Sequence, residues 1–394
     1  MKSQYRRNKR IHSLDSLRAI MMLLGLVLHS SITYQVVNQI STWPLKDSIT
    51  HISNDYIVSF IHTFRMQIFF LIAGFFGSML FYERRSLAMI KNRVERIVFP
   101  FIVFLFLLWP LVVFAFGSSR LLIAGHHDIL EMVTSIGEVV PFLYRKDFFS
   151  NLFILIPHNT FHLWFLYYLL LITTITIILA VVFEKLPSIK NYILHLFNYL
   201  ITRILTRLIV FSSITATVYL LIGSWSVDTS VSLIPDFHVL IYYFVFYIVG
   251  WILFKSKHLL YTFMKYDWIS TIFAVLLFSI YFFLNHEFSY LSNIIIKSIT
   301  VWLFIFGITG LFIRYASGYS SIMRYISDAS YWVYLIHLPL TAIIPGLISD
   351  WRIPALFKFL LVFIITVVLC FLSYHFLVRG TFIGKFLNGR RYTC

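Results

Sequence analysis

Arg18 and His29 lie eleven residues apart in the apolar run LDSLRAIMMLLGLVLHSSITY. On an α-helix eleven residues turn through about 1100°, so both side chains fall within ~20° of one line, roughly 16 Å apart along the axis. Asp15, Met22 and Gly25 belong to the same stripe, and Asp15, at i−3, is placed to pair with Arg18. A polar stripe with a small residue between its ends suits the wall of a buried cavity. Histidine there can act as a general base or as a nucleophile that carries an acyl group. The competing reading has Arg18 snorkelling to the interface and His29 hydrogen-bonded between helices.

A second apolar run, FIHTFRMQIFFLIAGFF, buries Arg65 about ten residues from its end, too deep to snorkel cheaply. Its neighbours His62 and Gln67 suggest a polar patch, but the run contains no carboxylate. Arg65 therefore wants a carbonyl or a substrate as partner, unless it is structural. Further along, Arg93 and Arg96 stand at i and i+3 in KNRVERIVFP, a pair suited either to clamping phosphates or to anchoring at anionic headgroups. HNTFHLWFLYYLL gathers His162, Trp164 and two tyrosines. SDASYWVYLIHLPL sets Tyr331, Tyr334 and His337 on one helical row, with Pro339 freeing a backbone carbonyl. Lys297 and Lys358 are further charges in apolar runs and are read as snorkelling outward. The set is cationic or neutral with almost no carboxylate at depth, which suits anionic or carbonyl-bearing cargo better than a cation path. Arg65 would then stabilise a developing oxyanion. None of the histidine spacings resembles a closed metal site, and two cysteines, Cys370 and Cys394, build neither a disulfide framework nor a metal centre.

The elements that must position these residues are membrane helices. The chain is 60% hydrophobic and 12% charged, about half the charge of a soluble domain. Ten spans are expected, at Leu17–Tyr34, Tyr56–Phe81, Ile97–Phe116, Thr160–Phe183, Leu208–Gly223, His238–Phe254, Trp268–Leu284, Asn293–Ile313, Ser330–Ile348 and Ala355–Val378. A re-entrant or interfacial piece is expected between Phe116 and Thr160. The reading is thus an all-α polytopic bundle, one domain over 1–394, with a basic start (1–16) and a basic tail (379–394). The first apolar stretch reads as a retained signal-anchor, since no small-residue cleavage site follows it.

Alternate connections hold nearly all the Lys and Arg, from Arg6, Arg7, Lys9 and Arg10 through Arg84, Arg85, Lys91, Arg93 and Arg96 to Lys385, Arg390 and Arg391. The other side offers only Lys46, Arg120, Arg145, Lys146 and Arg352. The positive-inside rule then places both termini in the cytoplasm. The formal charge of +16 is absorbed by anionic headgroups, and no nucleic-acid partner is needed. No internal repeat is evident, which argues against an inverted-repeat transporter.

In this order the motifs resemble the membrane acyltransferase-3 family. The carriers are LDSLRAIMMLLGLVLH with Arg18 and His29, FRMQIFFLIAGFF with Arg65, Phe69, Phe70, Gly74 and Phe75, then RVERIVFP, HLWFL and SYWVYLIH. The resemblance implies a multi-pass protein of the bacterial inner membrane that moves an acyl group from a cytoplasmic acyl-CoA co-substrate, with no tightly bound cofactor. It implies His29 and Arg18 as the catalytic pair, beside the Asp15 that spacing sets against Arg18. Arg93 and Arg96 would hold the CoA phosphates. Arg65, His62, His162, Trp164, Tyr331, Tyr334 and His337 would face the substrates. FIHTFRMQIFF, KNRVERIVFP and the compact length resemble members that succinylate periplasmic glucans, implying succinyl-CoA as donor and a glucan hydroxyl as acceptor. Some members carry a carboxylate soon after the first-helix histidine, whereas SSITYQ follows His29 here. Two other readings stand beside this one: O-acetylation of a different envelope polysaccharide, and transport of an anionic metabolite.

Overall fold

Inside hydrocarbon a backbone has no water to bond, so each crossing segment must satisfy its own amides as a helix. The computed structural model describes residues 11–37, 43–84, 86–125, 157, 159–227, 229–284 and 287–389. Ten helices in it are long and apolar enough to cross a membrane, and no strand occurs among the described residues. In chain order the helices are α1 (His12–Ser31), α2 (Ile52–Arg84), α3 (Ser86–Arg93), α4 (Phe99–Ile123), α5 (Trp164–Glu184), α6 (Pro187–Thr202) and α7 (Ile204–Ile222). The second half holds α8 (Phe237–Lys255), α9 (Asp267–Leu284), α10 (Tyr290–Tyr315), α11 (Ser321–Leu347), α12 (Ala355–Ser373) and the short α13 (Phe382–Asn388). A π-helical turn, Val94–Val98, joins α3 to α4. The expected interfacial piece falls mostly on residues 126–156, outside the described residues, as do Arg6, Arg7, Lys9, Arg10, Arg85, Arg145, Lys146, Arg390 and Arg391.

Local chemistry sets several ends. Asp236, Ser289 and Ser320 cap α8, α10 and α11 by accepting from the backbone N–H of His238, Ser292 and Met323. Gly223 ends α7 in the left-handed region, with φ 74°. The amphipathic α6 lies where the sequence reading placed only a connection. Pro187 opens it, and it buries Phe197 and Ile201 on one side, a pattern too polar overall to register as a span.

α1 and α2 are the most enclosed spans, and α1 packs against α2, α10, α11 and α12. α2 and α8 cross at Gly74 and Gly250, where a Cβ would run into the carbonyls of Tyr247 and Leu71 respectively. Such small-residue contacts let membrane helices approach closely. They set the rotation of α2 and so aim Arg65 at α1. The first described residues and α13 share one face of the bundle, called here the terminal face. There His12 and Arg324 border one polar depression, and Asn388 donates to the Asp328 carbonyl.

Lys358 does not snorkel as expected. It is wholly buried, and its Nζ lies 2.9 Å and 3.1 Å from the two carboxylate oxygens of Asp47 and 2.8 Å from the Ser349 carbonyl. Asp47 sits in the connection after α1, which returns to α1 through Asp47 N–H to Thr33 O (3.0 Å) and Trp43 Nε1 to Thr33 Oγ1 (2.9 Å). Lys297, by contrast, stands over the Tyr281 ring. Removing one partner of a buried pair leaves the other charge unpaired. Lys358→Ala is therefore expected to lower unfolding free energy by about 3–5 kcal/mol, while the double change Asp47→Leu/Lys358→Met is expected to be nearly neutral. Unfolding of both in the same detergent checks this; equal losses would refute the pairing argument.

Candidate active site

The helical stripe of α1 lines a cavity of about 30 Å³, reached from Met22 through Gly25 to His29. Arg65 crosses from α2 and lies against Gly25, where an added Cβ would sit 2.8 Å from Nη1. The glycine between Arg18 and His29 is thus the space that the guanidinium fills. Arg65 is buried, its Nε has no partner, and no carboxylate lies within ion-pair distance of it among the described residues. The polar patch expected around Arg65 does not converge. Gln67 turns to Tyr242, donating to its hydroxyl at 3.1 Å, and His62 is exposed and outside the cavity lining.

α11 supplies Tyr334 and His337, and the opening of α5 supplies His162 and Trp164. Proline at 339 has no N–H for the carbonyl four residues back, which belongs to Leu335. That carbonyl accepts instead from His162 Nε2, at 2.9 Å. The anticipated free carbonyl is therefore real, and it draws a histidine from another helix. His162 is set by a tight turn in which Phe161 has φ 43°, alone among described non-glycine residues in having positive φ. Thr160 holds that turn by donating its N–H (2.7 Å) and hydroxyl (2.9 Å) to Val231 O. Tyr334 donates to His162 O at 2.7 Å, and His337 Nδ1 lies 2.6 Å from Tyr334 O.

The three imidazoles form a row. The His337 ring centroid lies 5.2 Å from that of His29 and 5.2 Å from that of His162. Beyond His29, Trp43 stacks on its ring at 5.4 Å, held by Thr33 and packed edge-on against Phe116. The sequence reading did not single out Trp43, because only the fold of its connection brings it over His29. Among the described residues no three metal-binding side chains converge as a metal cage requires. A cavity with neutral bases and one guanidinium is instead equipped to move a proton and hold a carbonyl or carboxylate oxygen.

The remaining candidates lie apart from this cavity. Arg18 pairs with Asp15 at 3.4 Å and stands over the Phe76 ring, at the terminal-face end of the stripe. Tyr331 donates to Arg96 O at 2.9 Å. Arg93 and Arg96 do not act on common neighbours. Arg93 reaches Gly77 of α2, where its side chain meets the Tyr247 hydroxyl of α8. Arg96 Nη1 donates to the carbonyls of Phe386 (2.8 Å) and Lys385 (3.2 Å), tying α13 down.

The family model for an acyltransferase domain matches residues 11–375. Glucans biosynthesis protein C of Escherichia coli O81 (strain ED1a) is 27% identical over 369 residues, covering 87% of this chain and 86% of that protein. The protein of the same name from Escherichia coli O157:H7 gives the same figures. That from Escherichia coli (strain K12) is 32% identical over 170 residues, or 43% of this chain and 38% of that protein. No solved structure matches.

The Gly25–Arg65 contact separates stability from activity. Gly25→Ala is expected to stabilise α1 by about 0.5–1 kcal/mol, because alanine suits a helix interior. It displaces the guanidinium, and a misplacement near 1 Å is expected to lower acyl turnover by about 10- to 100-fold. Unfolding and turnover measured on one preparation check this; full turnover would show that Arg65 need not sit there.

Proposed function

This chain belongs to the acyltransferase-3 family of membrane proteins, and from that premise we propose that it moves succinyl from cytoplasmic succinyl-CoA to hydroxyls of periplasmic glucans. The observation that carries the reading is the His29 cavity, with Arg65 unpaired by any described carboxylate against Gly25. The names of the relatives favour a glucan acceptor. Succinyl brings a second carboxylate into the site, and Arg65 is the partner we assign to it, by a charge-assisted hydrogen bond.

In this proposal the terminal face is cytoplasmic, in keeping with the basic residues carried there. CoA phosphates dock at the basic turn that carries Arg93, whose guanidinium is held against Gly77 by the Tyr247 hydroxyl. Arg96 supports that site indirectly, because it anchors α13. Arg18, paired with Asp15 at the start of the α1 stripe, guides the pantetheine arm toward His29. The acceptor sugar enters from the opposite face, between Trp43 and Trp164. His29 attacks the thioester carbonyl: a C–N bond forms, the C–S bond breaks, and CoA thiolate leaves with the ring proton. The acyl group then passes to the sugar oxygen.

The test is twofold. Mass spectrometry of periplasmic glucans from a deletion strain should lose the succinyl increment; unchanged glucans with altered acetylation elsewhere on the envelope would move the acceptor to another polysaccharide. In proteoliposomes, His29→Ala is expected to lower succinyl transfer by about 10²–10⁴-fold. Arg18→Ala should raise the requirement for donor more than it lowers the maximal rate. Transfer at the wild-type rate by His29→Ala would sink the assignment.

A further inference from the structure

The row of imidazoles holds more than one base. A carbonyl oxygen only accepts, so the nitrogen bonded to it must carry the proton. His337 therefore bears its proton on Nδ1, facing Tyr334 O at 2.6 Å, and its Nε2 is a bare lone pair. That Nε2 is buried and has no partner. His162 is fixed in the opposite sense: Nε2 carries the proton to Leu335 O, and its buried Nδ1 is bare and unpartnered. Of the other two imidazoles, His337 is the one that neighbours His29, with ring centroids 5.2 Å apart, and it lies between His29 and His162. No carboxylate among the described residues lines the cavity.

We infer that His337 is a second catalytic base, which takes the proton of the incoming hydroxyl through Nε2. The inference rests on the acyl-transfer reading above and deepens it. Once His29 is acylated, its ring is depleted of electron density and is a far weaker base than free imidazole. The hydroxyl must still lose a proton as it attacks. Its oxygen bonds to the acyl carbon and the C–N bond to His29 breaks. The proton moves to His337 Nε2, making an imidazolium. That proton then passes to the nitrogen His29 recovers, leaving both rings neutral, so acyl-CoA and alcohol have become ester and CoA thiol. Arg65, beside both rings, balances the negative charge that develops on the carbonyl oxygen. Leu335 and Tyr334 carbonyls act through the rings as positioning groups, because they select the tautomers.

The experiment uses the full chain in nanodiscs with radiolabelled succinyl-CoA, in the presence and absence of a glucan oligosaccharide. His337→Asn is the informative variant, since its amide N–H can keep the bond to Tyr334 O while the base is lost. It is expected to release CoA thiol and label the chain within about 3-fold of wild type, but to transfer to the glucan about 10²–10⁴-fold more slowly. His337→Ala should behave alike and recover transfer when imidazole is added, which a purely structural defect would not. Wild-type transfer by either variant, or equal loss of both half-reactions with no rescue, would overturn the inference while leaving His29 in place. If wild-type protein itself releases no thiol and takes no label, the acyl-His29 reading fails, and the second base falls with it.

Discussion

A carbonyl deprived of its helical donor within a membrane must find another, because hydrocarbon offers none. Pro339 creates that deficit at Leu335, and the donor that answers is His162, from a helix far away in sequence. The rest of the site follows from this one bond. It joins α11 to the opening of α5 and fixes which nitrogen of His162 keeps its proton. With the Tyr334 hydroxyl bonded to His162 O, it also presents His337 toward His29. A proline that would weaken an isolated helix thus becomes the reason that two helices meet at one place.

Charge is handled by a second rule: among the described residues some buried charges are paired with carboxylates, Arg207 is held by the Ile201 carbonyl and two phenylalanine rings, and Arg65 has neither. Asp47 and Lys358 satisfy each other in full burial, and that pair ties down the connection that carries Trp43. Arg314 is likewise held by Asp267. Arg65 has no such carboxylate partner among the described residues, although it too is buried. A guanidinium remains charged under any ordinary condition, so its cost is met only when an oxygen anion or carbonyl arrives. The fold stabilises its frame through closed pairs and keeps binding energy for substrate.

Much of this was legible before any coordinates. Hydropathy delivered ten spans, helical periodicity put Met22, Gly25 and His29 on one stripe, and the absence of carboxylates near Arg65 was visible in its own run. Pro339 announced a free carbonyl. Its recipient was not legible, because a bond between residues 162 and 335 depends on how α5 packs against α11. For the same reason Lys358 read as a snorkelling charge. Its partner lies 311 positions away, and periodicity carries no information across that distance. Arg93 and Arg96 read as one clamp, yet the π-helical turn that opens at Val94 accompanies their divergence to α2 and α13. Trp43 lay in a short polar connection, where an aromatic residue has no period to betray it.

The small size of the cavity bears on how the site works. A space of about 30 Å³ admits a few water molecules, less than an acyl group and its acceptor need. Substrate entry therefore has to reshape the lining, and the lining contains the residues suited to it. Met21, Met22 and Met66 border the cavity between the α1 stripe and Arg65. Unbranched thioether side chains change rotamer at little cost and adapt to varied shapes. The imidazoles cannot yield as readily, since His162 and His337 are each bonded to a backbone carbonyl. The soft and rigid parts are thus divided by chemistry: methionines are the side chains free to change shape, while the imidazoles are held in place by backbone carbonyls.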